Sequence, residues 1–234
     1  MSNFPETAEE FLTGQNFLIA KPLGWTSFDL VKKVKTLIRT KYNLKKIKVG
    51  HAGTLDPLAT GLLIVCTGKF TKRISKIQAQ TKIYTGEITL GSTTPSYDLE
   101  TEIDTRYKTS HITKELIQDT ALHFTGEIGQ KPPIFSALKR GGERLYEKAR
   151  RGEIIEIEVR KVSVHSFKIT AIEMPKISFE IMCSKGTYIR SIAHDFGAAL
   201  DSGAHLSKLC RTVIGNYKLQ DAFDIISFEK QLNS

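Results

Sequence analysis

A short, wholly apolar run most constrains how this chain can fold. Residues 62–66 read LLIVC and contain no polar side chain. Five residues are far too few to span a bilayer, which takes about 20, so the run predicts a short buried strand. The chain must therefore build a core around a strand. With 234 residues, 40% of them hydrophobic, it can bury one substantial core, or two small ones, without disulfide bonds.

The segments around this run alternate between strand and helix patterns. Residues 17–20 predict a strand, and Thr26 or Ser27 caps a helix whose apolar face is formed by Phe28, Val31, Val34 and Ile38. Further along, the patterns predict strands at 81–91, 153–170 and 177–183 and helices at 113–124 and within 185–200. Because no repeat, low-complexity linker or clear boundary interrupts the chain, we expect one α+β domain over 1–234, with a mixed, largely antiparallel sheet flanked by helices.

One segment does not fit a regular element. Residues 131–152 hold seven basic and two acidic side chains, and a double glycine interrupts any long helix. We expect a mobile, basic loop inserted into the domain.

Charge and cysteine content narrow the class of protein. The formal net charge is +9 and the pI is near 9.4, which favours a polyanionic partner, nucleic acid before a membrane surface. The three cysteines, at 66, 183 and 210, form no CxxC pair, so neither a disulfide framework nor a structural zinc site is indicated. The N-terminus is acidic where a signal peptide would be basic. We expect a soluble cytoplasmic protein.

The run 32–48 holds eight basic side chains and no acidic one. A solvated helix face and loop would explain it, because charge runs are common on surfaces. Its position next to a glycine-rich loop favours contact with RNA instead. The sequence leaves both interpretations open.

The glycine-rich loop contains the acid that most invites a chemical role. Asp56 is followed by Pro57, a good N-cap and N1 pair, because the carboxylate accepts helix N–H groups and proline has none to leave unpaired. Any such helix is limited to one turn, because Gly61 and the apolar run follow. Gly53 and Gly61 also leave space for a ligand to approach Asp56 closely. Asp56 can thus be a helix cap, a nucleophile or both.

Five blocks, in order, resemble the TruB family of tRNA pseudouridine synthases. The central block, 50–65, resembles the family's catalytic motif. The other four are KPLGWTSFDLV at 21–31, YTGEITLGSTTPSYD at 84–98, GQKPPIFSALKRGGERLYEKARRG at 129–152 and CSKGTYIRSIAHDFG at 183–197. The resemblance covers most of residues 17–211 and implies the pseudouridine synthase catalytic fold.

The resemblance implies three catalytic residues. Asp56 is the nucleophile, Arg190 is the arginine that pairs with it, and Tyr84 packs on the target base and acts as general base on the ribose. The reaction breaks an N-glycosidic bond and rejoins the base through carbon, so it needs no cofactor and no metal. The resemblance leaves open whether Asp56 attacks ribose C1′ or uracil C6. Without the resemblance, the sequence would indicate that Arg190 is an ordinary helix-surface residue and that Tyr84 is a core residue.

The resemblance also implies four residues that contact the RNA or the loop that binds it. His51 orders the RNA as the base turns out, although a loop histidine bonded to backbone is the alternative. Tyr188 lines the pocket, and Leu209 lies near the uracil. Lys21 either holds the Asp56 loop or touches phosphate.

The 131–152 loop is implied to clasp the RNA. Its basic side chains would grip phosphates without reading sequence; the candidates are Lys131, Lys139, Arg140 and Arg144. The partner is the T-arm stem-loop of tRNA, and we expect a monomer with no obligatory protein partner and no membrane contact. The chain stops at Ser234, so we expect no C-terminal PUA-type module of the kind found in most bacterial members.

Three alternatives stand beside an enzyme that acts on uridine-55 of tRNA. One is an RNA-binding tRNA folding helper without essential catalysis. A subunit of guide-RNA complexes shares these motifs but normally needs further modules and partners. A phosphate-binding nucleotide enzyme has little support, because no glycine-rich segment ends in the GK[ST] of a P-loop.

Overall fold

The computed structural model describes residues 4–136, 138–153 and 155–234, with residues 139 and 140 described by their backbone alone. Two compact units emerge, and each is described by itself. Unit 1 comprises Met1–Tyr84 and Leu209–Ser234, and unit 2 comprises Thr85–Lys208. The expectation of one catalytic domain over 1–234 stays a prediction.

The described part of the chain contains strands and helices in alternation. Its strands are β1 (Asn16–Lys21), β2 (Val49–His51), β3 (Ala59–Thr67), β4 (Lys82–Leu90), β5 (Ser92–Thr93), β6 (Thr105–Arg106), β7 (Gly126–Gln130), β8 (Lys139–Arg140), β9 (Glu143–Arg144), β10 (Arg160–Glu173), β11 (Lys176–Cys183), β12 (Ala204–Ile214) and β13 (Tyr217–Lys218). Its α-helices are α1 (Ala8–Thr13), α2 (Ser27–Lys41), α3 (Ile74–Gln78), α4 (Lys114–His123), α5 (Leu145–Arg150), α6 (Ile189–Ala199) and α7 (Ile225–Asn233). Two 3₁₀ helices cover Gly68–Arg73 and Leu219–Asp221.

Unit 1 is built around β3, which contains the LLIVC run. β1 pairs with β3 in antiparallel orientation, β2 pairs with the end of β3, and the second half of β12 runs parallel to its start. Residues 61–68 are all buried, as a strand with neighbours on both edges and helices over it requires. The predicted buried strand is confirmed and is longer than the apolar run.

Helix α2 begins where the sequence predicts. Thr26 caps it and shares a capping box with Asp29. The predicted apolar face is wrong at one position: Phe28 is 70% exposed, while Leu30 is buried. The buried residues are Ser27, Leu30, Val31, Val34 and Ile38. This stripe follows the 3- and 4-residue spacing that starts at position 27, and position 28 is rotated about 100° away from it.

Unit 2 contains an antiparallel sheet in which the end of β4, then β11, β10 and β7 lie side by side. β10 and β11 form a long hairpin, and β7 pairs with the start of β10. α4 and α6 cover this sheet through aromatic contacts among Phe124, Phe167 and Phe196. The predicted helix at 113–124 is confirmed as α4 with Thr113 as its N-cap.

Two predictions for the middle of the chain need correction. The segment 131–152 is not irregular throughout, because β8 and β9 form a hairpin and α5 follows. Gly141 and Gly142, with φ of 64° and 86°, make its turn, and two consecutive positive φ angles favour this kind of tight hairpin. The strand expected at 153–170 begins only at Arg160, which pairs with Gln130, the last residue of β7. Residue 154 lies outside the described residues.

Within the described ranges, no helix is long and apolar enough to cross a membrane.

Candidate active site

Asp56 lies in a turn and does not cap a helix. Its carbonyl accepts a hydrogen bond from the N–H of Ala59 at 3.0 Å, and β3 begins at Ala59. The helix-cap interpretation is therefore wrong, because the chain turns directly into the strand instead of completing a helical turn. The Asp56 side chain is half-buried.

The loop of residues 52–58 that carries Asp56 is fixed by the start of α2. The hydroxyl of Ser27 accepts a hydrogen bond from the N–H of Leu55 at 2.8 Å and donates to the carbonyl of Leu55 at 3.1 Å. The N–H of Gly24 donates to the carbonyl of Pro57 at 2.9 Å. These contacts hold the backbone on both sides of Asp56.

Lys21 holds the same loop from inside. Its side chain is 1% exposed, and its Nζ donates to the carbonyls of Pro22, Trp25 and Pro57 at 3.0, 2.6 and 3.5 Å. Burial lowers the pKa of Lys21 to about 8, and the negative charge of Asp56 opposes that shift. Of the two roles open for Lys21, the contacts favour holding the Asp56 loop over binding phosphate.

Arg211 is a second buried cation beneath the loop, and the sequence reasoning assigned it no role. It is 1% exposed, and its Nε and Nη2 donate to the carbonyls of Leu62 and Gly53 at 2.9 and 3.0 Å. It thereby ties Gly53, near the start of the loop, to Leu62 in β3. Its backbone lies against Gly61, where a Cβ would come within 2.4 Å of the Arg211 carbonyl oxygen. Its neighbours in β12 include Ser207, Lys208 and Thr212, so the local sequence carried no signal of its burial.

His51 is the last residue of β2 and lies five residues before Asp56 in the chain. The ring is half-buried, and burial lowers its pKa, with the charge of Arg211 lowering it further. The imidazole is therefore neutral near pH 7. A neutral ring suits stacking or hydrogen bonding to a base better than an ion pair with phosphate.

Leu209 and Tyr84 occupy strands of the same unit. Leu209 is half-buried and lies opposite Ala59 in the parallel pair of β12 and β3, so the structure brings it to the start of the strand that follows Asp56. Tyr84 is 9% exposed and lies on the buried face of β4 with Ile88 and Leu90. The alternation predicted for β4 is confirmed, and the base-catalyst role of Tyr84 stays a prediction.

Arg190 is buried in unit 2 at the start of α6. Its Nη1 and Nη2 donate to the carbonyls of Ser96 and Phe135 at 3.0 and 2.9 Å. Its Nε lies 3.5 Å from Oδ2 of Asp98. The surface-arginine alternative is wrong, because only 3% of Arg190 is exposed. Asp98, between β5 and β6, is a second residue to which the sequence did not point. The expected pairing of Asp56 with Arg190 would join the two units and stays a prediction.

Tyr188 immediately precedes α6 and is held by Gln130. Its N–H donates to Oε1 of Gln130 at 2.8 Å, and Nε2 of Gln130 donates back to its carbonyl at 3.0 Å. The guanidinium of Arg160 lies over the Tyr188 ring, 4.8 Å from its centre. The phenol ring is thus stacked and half-buried, and its place in a pocket stays a prediction.

The basic candidates of the 131–152 segment are only partly described. Lys131 is exposed, and its carbonyl accepts a hydrogen bond from Ser191 at 2.8 Å. Arg144 is exposed, and its Nη1 donates to the hydroxyl of Tyr146 at 3.1 Å. The side chains of Lys139 and Arg140 lie outside what the structure describes. Their RNA contacts stay predictions.

Comparison with known proteins identifies the family. The model of the TruB family pseudouridylate synthase N-terminal domain matches residues 39–189, more than half of the chain. The chain belongs to the TruB family of pseudouridylate synthases. The predicted family is confirmed.

Several relatives named tRNA pseudouridine synthase B resemble this TruB family chain over nearly its full length. The protein of Flavobacterium johnsoniae is 60% identical over 97% of this chain and 99% of its own. That of Phocaeicola vulgatus is 49% identical over 95% of both chains. That of Chloroherpeton thalassium is 52% identical over 89% of this chain and 86% of its own.

Two solved structures support the fold. A chain in a Cbf5-Nop10-Gar1 complex is 28% identical, with a TM-score of 0.72, and the match covers 94% of this TruB family chain and 54% of that chain. A chain in an H/ACA RNP bound to a substrate RNA containing 2'-deoxyuridine is 25% identical, with a TM-score of 0.68. That match covers 94% of this chain and 53% of the other chain. The predicted pseudouridine synthase fold with a mixed, largely antiparallel sheet is confirmed.

Proposed function

We propose that this chain is an isomerase that converts uridine-55 in the T loop of tRNA to pseudouridine, with Asp56 as its nucleophile. The observation that carries the proposal is a half-exposed carboxylate on a loop fixed by Ser27, Lys21 and Arg211. A nucleophile needs a fixed backbone, because its reacting atom must be held in position. The relatives named tRNA pseudouridine synthase B favour this enzyme over an RNA-folding helper.

The reaction is an isomerisation, so its atoms balance without a co-reactant. The bond between N1 of uracil and C1′ of the ribose breaks, a bond between C5 and C1′ forms, the hydrogen on C5 leaves as a proton, and N1 takes up a proton from water. A carboxylate that adds and is later expelled divides this change into easier steps. The target uridine must first turn out of the RNA loop, at a cost of a few kcal/mol.

The remaining candidates support Asp56 in different ways. Arg190 keeps the carboxylate ionised, because a nearby guanidinium favours the charged form. Tyr84 packs on the base and moves the proton, and neutral His51 stacks on or hydrogen-bonds to the RNA. Leu209 and Tyr188 line the base pocket. The 131–152 segment grips phosphates through Lys131, Lys139, Arg140 and Arg144.

We further propose that the chain acts as a cytoplasmic monomer without an obligatory protein partner. The support is that bacterial relatives with the same name match it over most of their own lengths. Size-exclusion chromatography of the purified chain, with activity measured across the peak, tests this.

The decisive experiment measures tritium release from a T-arm stem-loop RNA carrying uracil-5-tritium, without added cofactor. The wild type should release tritium, and Asp56→Ala and the nearly isosteric Asp56→Asn should release none. Asp119→Asn, which alters an exposed aspartate on α4, is the matched control and should behave as the wild type.

Two results would overturn the proposal. If folded wild type is inert on both the stem-loop and full-length tRNA, the chain is not this enzyme. If Asp56→Asn releases tritium at the wild-type rate, the carboxylate is not the nucleophile.

A further inference from the structure

Tyr97 adopts a backbone conformation that residues other than glycine rarely take. Its φ is 65°, in the left-handed region, where Cβ crowds the following carbonyl oxygen. Residues persist in this region only where the surrounding structure holds them there, and they cluster at functional sites. The contacts of Tyr97 therefore indicate what its conformation is for.

The two residues that flank Tyr97 both contact Arg190. The carbonyl of Ser96 accepts a hydrogen bond from Nη1 of Arg190 at 3.0 Å, and Oδ2 of Asp98 lies 3.5 Å from Nε of Arg190. Because Tyr97 is the residue between these two groups, its backbone angles set their separation. A change of conformation at Tyr97 would alter both contacts of the guanidinium at once.

The backbone of Tyr97 is fully paired within unit 2. Its N–H donates to the carbonyl of Thr94 at 3.1 Å, and its carbonyl accepts from the N–H of Leu206 at 2.9 Å. These bonds close the turn of residues 94–98 and join it to the start of β12. The side chain of Tyr97 makes a separate contact.

The ring of Tyr97 stacks on the ring of His194 in α6. The ring centres are 3.9 Å apart and the planes differ by 28°. His194 follows Arg190 by four residues, the spacing of neighbours on one face of an α-helix. Nδ1 of His194 lies 3.1 Å from Oδ1 of Asp195. The turn of residues 94–98 thus contacts α6 at two successive helical turns, through Arg190 and through His194.

The hydroxyl of Tyr97 is not suited to proton transfer. Burial raises the pKa of Tyr97, and the charges of Asp195 and Asp104 raise it further. The phenol therefore stays protonated near neutral pH. What Tyr97 contributes is its ring, which is half-buried, as is His194.

The guanidinium of Arg190 depends on the position of this turn. It is 3% exposed, and its N–H donors point in fixed directions within one plane. A rotation of Tyr97 to an ordinary backbone conformation would move the Ser96 carbonyl relative to Nη1 of Arg190. The stack on His194 opposes that rotation, because the ring would have to leave the helix.

We propose that the stack of Tyr97 on His194 positions Arg190 for its part in the reaction, so that both are positioning residues and not catalytic ones. The inference rests on the proposed function of Arg190. Without the stack, the turn of residues 94–98 relaxes and the guanidinium shifts. A misplacement of about 1 Å can cost about 100-fold in rate.

Tyr97→Gly is the first test, because glycine adopts the left-handed conformation without strain and the variant loses only the ring. The relief of strain offsets part of the lost packing, so the melting temperature should stay within about 4 °C of the wild type. In tritium release from the T-arm stem-loop RNA, kcat should fall at least about tenfold while KM changes less than about twofold. Tyr97→Phe keeps the ring and should keep the wild-type rate.

His194→Ala removes the other ring of the stack without changing the turn, and it carries the test if Tyr97→Gly does not fold. It should lower kcat by a similar factor. The double variant Tyr97→Gly/His194→Ala should be no slower than either single variant, because all three lose the same interaction. His194→Phe restores a ring and should recover most of the rate.

Asp201→Gly is the matched control for the change to glycine. Asp201 is an exposed residue of unit 2 with a φ of 52°, so the substitution relieves the same kind of backbone strain. It should leave kcat and KM unchanged.

The NMR signal of the Arg190 Nε–H gives a readout that does not depend on activity. It should be sharp and slow to exchange with water in the wild type, Tyr97→Phe and Asp201→Gly. In Tyr97→Gly and His194→Ala it should shift or broaden, because the guanidinium is no longer held in one place.

Three results would overturn the inference. The first is that removal of either ring leaves the Arg190 signal as in the wild type. The second is that kcat is unchanged in a variant that releases tritium. The third is that the double variant loses the product of the two single losses, which would mean that the rings act separately. If the wild type itself releases no tritium, the proposed function fails, and the Arg190 signal still tests the positioning by the stack.

Discussion

Arg190 and Asp98 form a buried ion pair in unit 2. Nε of Arg190 lies 3.5 Å from Oδ2 of Asp98, and only 3% and 7% of the two side chains are exposed. The exposed pair of Arg150 and Glu100 is closer, at 2.9 Å, yet 65% and 33% of those side chains are exposed. Water screens the second pair and not the first, so the longer contact has the larger effect on stability.

Removing the carboxylate of Asp98 should therefore destabilise the protein. Asp98→Asn removes a carboxylate from beside the buried guanidinium of Arg190, which costs about 3 kcal/mol in the free energy of unfolding, and we expect tritium release to fall with it. The control is Glu100→Gln, expected to cost less than about 1 kcal/mol. Urea denaturation measures both, and equal losses would show that Asp98 does not compensate the charge of Arg190.

Lys21 makes stability depend on pH in a direction that can be worked out. Its pKa is about 8 in the folded protein against 10.5 for an ordinary lysine. Between these values the unfolded chain binds a proton that the folded chain does not, so the folded state gains stability as pH rises. Below pH 8 the full cost of burying the charge is present.

Lys21→Met removes this dependence. The free energy of unfolding of the wild type, relative to that of Lys21→Met, should rise by about 1 kcal/mol between pH 8.5 and 9.5, because one pKa unit corresponds to about 1.4 kcal/mol. Guanidinium denaturation at several pH values measures it. Lys168→Met, which removes an exposed lysine, controls for the loss of one charge, and a difference that stays constant with pH would show that Lys21 is not desolvated.

The sequence predicted elements better than long-range contacts. Periodicity placed β3, β4 and α4, and a side-chain cap placed the start of α2 at Thr26, because these depend on residues a few positions apart. Periodicity placed Phe28 on the wrong face of α2. The direction in which the apolar face of a helix points is set by the elements that the helix packs against.

The candidate site shows the same division. A family resemblance pointed to Asp56, Tyr84 and Arg190, but Asp98 and Arg211 were missed. Arg211 bonds carbonyls 149 and 158 residues away, and Asp98 meets an arginine from another element. Spacing along the chain carries no information on such pairings.

Gly61 should tolerate no side chain. Its φ is 109°, and an added Cβ would lie within 2.4 Å of the carbonyl oxygen of Arg211. Gly53 is the matched control, because its φ is 106° and its Cβ would meet only Nη1 of Arg211 at an ordinary 3.5 Å. Gly53→Ala should cost about 1 to 2 kcal/mol, from backbone strain alone, and Gly61→Ala clearly more. Urea denaturation measures the free energy of unfolding of both variants. Equal losses would mean that β3 and β12 move apart at Gly61 and Arg211 without an energetic cost.

Arg211 should affect both the loop geometry and the titration of His51. Arg211→Met removes the donors to Gly53 and Leu62, and a misplacement of the Asp56 loop by about 1 Å can cost about 100-fold in rate, so we expect kcat to fall much more than KM rises. The same change removes a positive charge that lowers the pKa of His51, so that pKa should rise, as followed by NMR titration of the imidazole. Arg211→Lys keeps the charge and should keep the pKa of His51 low while restoring little of the rate, because lysine cannot reach both carbonyls in the planar geometry of a guanidinium. A variant that lost rate without any change in the pKa of His51 would separate the two effects and show that Arg211 acts on the loop alone.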